Sequence, residues 1–220
     1  MKLIIIRNFC FSVIAMLLII GCESSNKSEE KDQSETTISS TPINVDTPES
    51  QSQEYYINSK ENISLATINI QDSDITLHIG DQTLFGELKR SDKRKYYDQA
   101  DQHHYSVKYK SSEGFKLRNS DEELLWKVKI KDSKISIANN EEMNEAFDIR
   151  LYDDERIKVK KGEEELNAIR FDRNDEFLKV DNQYFLRNFK HSMASGVLMI
   201  SGMSETEKFI ICAEILKLNK

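Results

Sequence analysis

Glycine and proline are scarce in this chain of 220 residues, at seven and two, and there are only three cysteines and one tryptophan. Each shortage excludes something. So little glycine leaves no Gly-x-x-x-x-Gly-Lys loop to cradle a phosphate and no Gly-x-Ser-x-Gly elbow for a serine nucleophile. The cysteines at positions 10, 22 and 212 are too few and too far apart for a Cys-x-x-Cys metal site, and the four histidines form no His-x-x-x-His pair. An excess of positive charge is also missing: 31 Lys and Arg face 38 Asp and Glu, a formal net charge of −7. That balance argues against nucleic acid as a partner and against broad adhesion to anionic headgroups. No motif calls for a cofactor, and neither catalytic nor metal-ligating residues are assigned.

The chain holds one continuous apolar run, Phe9 to Ile20, preceded by Lys2 and Arg7 and ended by Gly21 and Cys22. A short apolar core with basic flanks and a small residue at its end reads as a secretory signal peptide rather than a membrane span. The segment Ile19-Ile20-Gly21-Cys22 resembles the lipobox of bacterial lipoproteins. The resemblance covers the first tenth of the chain. It implies a signal peptide over 1–21, diacylglycerol on Cys22, and an acylated mature N-terminus at that cysteine. The membrane is then a partner through the lipid, and the location is the bacterial cell envelope (the outer membrane in a diderm cell). Each buried methylene contributes about 0.8 kcal/mol, so two or three acyl chains give durable attachment where one does not.

Loss of the leader removes Lys2, Arg7 and Cys10 and brings the net charge to −9, from 29 basic and 38 acidic residues. With Cys22 lipidated, Cys212 remains alone in apolar surroundings, so no intramolecular disulfide forms and a buried, inert thiol is expected.

Residues 22–53 follow as the lipidated cysteine and a polar stretch of Ser, Glu, Thr, Asn, Gln and Asp with Pro42 and Pro48. So little apolar surface cannot offset the entropy of ordering, and a disordered tether reaching roughly 30 Å is expected. Glu29, Glu30 and Asp32 read as a self-repelling spacer or as a sorting signal for export to the cell surface.

From residue 54 to 220 one domain is expected, dominated by period-two alternation. Ile75, Leu77 and Ile79 alternate with Thr76 and His78, Val128 and Ile130 with Lys127 and Lys129, and Ile157 and Val159 with Lys158. The polar partners are mostly Lys and Arg, whose stems cover apolar surface while their charges discourage edge-to-edge pairing. About a dozen short strands result, joined by turns such as Asp72-Ser73 and Lys161-Gly162. A faint repeat of about forty residues sets 75–89 beside 115–129 and 157–170, each copy a hairpin with an acidic turn. Then Ser204 and Glu207 form a capping box that opens a helix, apolar nearly all round, holding Phe209, Ile210, Ile211, Cys212, Ala213, Ile215, Leu216 and Leu218. Such a helix is buried, which makes the fold mainly β: an antiparallel meander or barrel around a hydrophobic C-terminal helix. In strand count, hairpin repetition and the Phe209–Leu218 helix the domain resembles the tubby-like barrel superfamily. The resemblance implies about twelve antiparallel strands enclosing the helix and a family that includes phospholipid-associated proteins. No binding residue carries over from it.

His103 and His104, near Asp98 and Asp101, are the densest group of metal-type side chains, but neighbours on a strand diverge. They read as a polar loop. Asp72 and Asp74 lack the glycine and distal Glu of a calcium loop and read as turn chemistry. Ser192, Ser195, Ser201 and Ser204 lie near His191 without a nucleophile motif, and Trp126 reads as core or half-core. A non-catalytic envelope module that binds a protein or holds envelope parts together leads. A carrier or sensor of a lipid or other apolar ligand follows, and an enzyme stands last.

Overall fold

The computed structural model describes residues 52–153, 156–171, 177–190 and 192–218. The expected signal peptide, Cys22 and nearly all of the expected tether lie outside the described residues. Scarce glycine is made good in the turns by short polar side chains, which tolerate left-handed backbone better than branched ones. Asn62, Asp72, Asp101, Asp181 and Asn188 all take φ between 48° and 67°.

Fourteen strands result, two more than the expected dozen: β1 (Ser52–Ser59), β2 (Ser64–Gln71), β3 (Asp74–Ile79), β4 (Gln82–Arg90), β5 (Lys93–Tyr97), β6 (His103–Tyr109) and β7 (Gly114–Asn119) come first. β8 (Leu124–Lys131), β9 (Lys134–Ala138), β10 (Phe147–Leu151), β11 (Arg156–Lys161), β12 (Glu164–Arg170), β13 (Leu178–Val180) and β14 (Tyr184–Arg187) follow. β1 to β12 pair consecutively and antiparallel as one meander, and β14 returns to the free side of β1 with β13 outside it. The two edges meet, since Asn167 on β12 donates its side-chain amide to the Asp181 carboxylate beside β13 at 3.0 Å. The sheet is thus a nearly closed barrel. The forty-residue repeat falls on the hairpins β3–β4, β7–β8 and β11–β12, so it counts four strands of a continuous meander rather than the blades of a propeller.

Inward positions of the alternation supply the core. Ile68 and Ile70 on β2, Leu77 on β3, Leu117 on β7 and Ile137 on β9 are fully buried. Inside sits α1 (Glu205–Leu218), with Phe209 through Leu216 buried at eight successive positions, more than two full turns. No face of that stretch meets water, so the helix fills the barrel. Its capping box forms as expected: the Ser204 amide donates to the Glu207 carboxylate and the Glu207 amide to the Ser204 hydroxyl, both at 3.3 Å. Trp126 adds its indole N–H to the same carboxylate at 2.8 Å, which ties β8 to the start of the helix. Before α1 a 3₁₀ segment, Met193–Met199, is capped by Ser192 and packs beside it. Cys212 is buried where the two pack, its thiol within 3.2 Å of the Ala194 carbonyl, and burial pushes its pKa far up, which disfavours the thiolate.

Gly114 tests the meander. Its φ is +140°, and a Cβ there would lie 2.0 Å from the Val128 carbonyl oxygen across the β7–β8 pair. Backbone cannot yield as a flexible side chain does, and L-residues avoid this φ. Gly114→Ala should therefore cost about 3 kcal/mol or more in urea unfolding. A loss below about 1 kcal/mol would contradict the register.

Candidate functional site

Two features stand out from the alternating pattern, one inside the barrel and one outside. On β5 the inward positions are Arg94 and Tyr96, not aliphatic residues, and both are buried. On α1 the residue that meets them is Glu214, fully buried within the apolar run. Tyr96 donates its hydroxyl to Glu214 Oε1 at 2.7 Å, and Tyr109 donates to Oε2 at 2.5 Å. Arg94 Nε lies 3.1 Å from Oε1 and donates to the Tyr109 oxygen at 3.0 Å, while its Nη1 donates to the Gly86 carbonyl at 2.9 Å. Gly86 makes room for this: a Cβ there would meet the Tyr96 ring at 2.7 Å and the Arg94 side chain at 3.0 Å.

Burial pushes the pKa of Glu214 up, and Arg94 with the two phenols works against that push. Three donors on two oxygens, with short O–H···O distances, mark an ionised carboxylate with charge-assisted bonds. For Arg94 burial acts downward, but Glu214 and the tyrosines hold its pKa above the usual value. Burial raises both tyrosines well out of the physiological range. Every group of the cluster has a partner within it. The cluster is a clamp that fixes the rotation of α1 inside the barrel. At its outer side a pocket of about 730 Å³ opens between the β2–β3, β4–β5 and β6–β7 turns and the end of α1, with Leu88, Leu218 and Tyr109 as apolar walls.

The second feature is the outer face of β5 to β11. Its outward positions hold Lys93 and Lys95 on β5, Lys108 on β6, Lys116 and Arg118 on β7, and Lys127, Lys129 and Lys131 on β8. Lys134 on β9, Arg150 on β10 and Arg156, Lys158 and Lys160 on β11 continue the series. Thirteen cations share these outward strand positions with one carboxylate, Asp148. Three further acids fold over the face: Glu122 against Lys93 at 2.8 Å, Glu141 against Lys116 at 2.6 Å, and Glu165 against Lys158 at 2.7 Å. Lys108, Lys129 and Lys131 make no ion pair with a described residue. By contrast, the outward positions of β2 and β3 carry Thr67, Asn69, Thr76 and His78. The acidic net charge of the whole chain hides this segregation.

The residues singled out in sequence are spread over the molecule. His103 and His104 open β6 rather than lying in the expected polar loop; His104 pairs with Asp98 at 2.9 Å, while His103 bonds the Tyr105 carbonyl at 3.0 Å, so the two imidazoles serve different partners. Among the described residues no three His, Cys, Asp or Glu side chains are placed to hold a metal. His78 bonds Thr83 across the β3–β4 pair. Asp72 takes a left-handed turn conformation. Ser192 caps the 3₁₀ segment and Ser195 donates to the Ser192 carbonyl, while His191 lies outside the described residues. Comparison with protein-family profiles, with curated proteins and with solved structures found no match to the chain.

These charges predict how stability depends on pH. The hydrogen bond from Lys93 lowers the pKa of Glu122, that from Lys116 lowers Glu141, and that from His104 lowers Asp98. Lowered carboxylates stabilise the fold above their unfolded values of about 4, and that contribution is lost as pH falls through the folded ones. Burial lowers His103, so the unfolded chain takes up that proton first, below about pH 6.5. Thermal midpoints should decline slightly from pH 7 to 5 and steeply below about pH 4. A midpoint that rises on acidification contradicts these ion pairs.

Proposed function

We propose that the chain is a lipid-anchored protein of the bacterial envelope whose barrel domain is a non-catalytic binding module acting through its cationic outer face. The face carries this reading. Thirteen outward cations on seven adjacent strands, against four carboxylates, form a mainly cationic surface on a chain whose overall balance is acidic. The interior supports it too, since α1 fills the barrel and the buried polar groups are spent on one another. The lipobox at Cys22 supplies the anchor, and the polar stretch after it gives the domain reach from the bilayer.

Two experiments test the reading. Labelled palmitate should enter the wild-type protein and not Cys22→Ser; equal labelling of both removes the anchor. A secreted chain starting at Glu23, made by exchanging residues 1–22 for a cleavable leader without cysteine, should still sediment with envelopes at low salt. It should leave them at about 0.5 M salt, where the Debye length is well below 10 Å. Release at every salt concentration would show that the domain has no charged partner there.

A second reading has one observation behind it. The pocket at the end of α1, with Leu88 and Leu218 in its wall, fits a small apolar ligand. Native mass spectrometry of the protein purified from its source separates the two, because a stoichiometric small molecule favours a carrier or sensor.

A further inference from the structure

Lysines on the outside of a sheet have an ordinary explanation: they keep exposed strand edges from pairing with other chains. That explanation does not apply here. β5 to β11 are interior strands, each hydrogen-bonded on both sides. Their cations guard no edge, and they lie where the backbone is already satisfied. Solubility alone would not gather thirteen cations and one acid on the outward positions of seven neighbouring strands and leave β2 and β3 to Thr, Asn and His. Among the described residues most acids of the domain sit instead in turns at the barrel ends, such as Asp92, Asp121 and Asp132.

The shape of the face selects among anionic partners. Seven of fourteen strands cover half of the circumference. Strands about 4.8 Å apart give a fourteen-stranded barrel a backbone radius of at least about 11 Å. When a plane touches the crest, strands a quarter-turn away stand about 11 Å farther off, beyond the Debye length of about 8 Å at physiological salt. A flat bilayer therefore engages only the few strands at the crest and leaves the flanking cations screened. A flexible linear polymer follows the curve and reaches cations on every strand of the face, among them Lys108, Lys129 and Lys131, which make no ion pair with a described residue. Cation spacings of about 5 Å across strands and about 7 Å along them suit a chain that carries a charge on each repeat unit.

We infer that the outer face of β5–β11 is a binding site for a linear anionic glycopolymer of the envelope, bearing phosphodiester or uronate groups. The inference rests on the envelope reading above, because it is the location that makes a glycan the polyanion at hand and sets nucleic acid aside. The shared chemistry is a flexible polyanion, and phosphate and carboxylate sources are separated by the test.

The secreted Glu23–Lys220 chain is titrated with polyglycerol phosphate, polygalacturonate, uncharged dextran, a thirty-nucleotide oligothymidylate, and vesicles one-third phosphatidylglycerol. Binding to at least one of the two anionic glycopolymers and not to dextran is expected, with log affinity falling linearly in log salt. Preference between the two identifies the group. Lys108→Gln/Lys129→Gln should weaken binding about tenfold and flatten the salt slope by about two, one for each cation removed. Lys60→Gln/Lys190→Gln removes the same charge elsewhere on the exterior and should change affinity less than twofold. Equal loss in both pairs would reduce the effect to net charge and overturn the site. Tighter binding to oligothymidylate or to the vesicles than to either glycopolymer would overturn it in favour of nucleic acid or bilayer. If both glycopolymers fail while the secreted chain still sediments with envelopes, the partner is an acidic protein: the glycopolymer is refuted and the binding module stands.

Discussion

Glu214→Leu should lower the unfolding free energy by about 3–5 kcal/mol, a large share of what a domain of this size commands. The substitution suits the helix and adds apolar surface, so propensity and hydrophobicity both predict a gain. The loss comes from what stays behind. Arg94, 2% exposed, keeps its charge with only the Gly86 carbonyl and the Tyr109 oxygen for company. The Tyr96 and Tyr109 hydroxyls lose their acceptor inside the barrel. An uncompensated buried charge is among the few single changes with effects of this size. Replacing both partners removes the penalty at its source, so Arg94→Met/Glu214→Leu should be more stable than Glu214→Leu alone. The coupling in that cycle should reach about 1–3 kcal/mol. Guanidinium unfolding of the four proteins measures it, and additive losses would show that the groups do not act as a clamp.

Ile211→Asp is the second large effect. Ile211 is fully buried on a helix that the sheet surrounds, so the new carboxyl must stay charged without a partner or take a proton against its ordinary pKa. Either way the cost is several kcal/mol, on the scale of the total stability. Deleting 204–220 goes further, because the inward faces of β2 and β3 lose the surface they pack against. The truncated chain should aggregate and show no cooperative thermal transition. A sharp transition near the parent midpoint would mean that the sheet is a self-sufficient body with a helix merely laid on it.

The residues that fold the barrel were legible where each strand faces aliphatic residues inward. Ile75, Leu77 and Ile79 announce β3, and Ile157 and Val159 announce β11. β5 was not legible, because its inward positions are Arg94 and Tyr96, and the run Lys-Arg-Lys-Tyr-Tyr alternates nothing that a hydrophobic pattern detects. The same chemistry hid its partner. Glu214, between Ala213 and Ile215, reads in one dimension as the solvated edge of an apolar helix, and only the register of β5 against β4 and β6 brings Arg94 to it. A carboxylate at the centre of a helix buried on every side was the available signal. Ser204 and Glu207 were legible because a capping box is local. Taken strand by strand, each outward lysine covers apolar surface or guards an edge, and only the strand order gathers them into one face.

Binding at that face, rather than in the interior, is the central proposal, and one measurement separates the two. Envelopes loaded with the secreted Glu23–Lys220 chain are washed with rising salt, alongside the Lys108→Gln/Lys129→Gln and Tyr109→Phe forms. Losing two face cations should bring release to distinctly lower salt, whereas Tyr109→Phe, which alters the clamp and the pocket beside it, should leave the release point in place. Release unchanged by the lysine pair but shifted by Tyr109→Phe would contradict the account and move the binding site to the pocket at the end of α1.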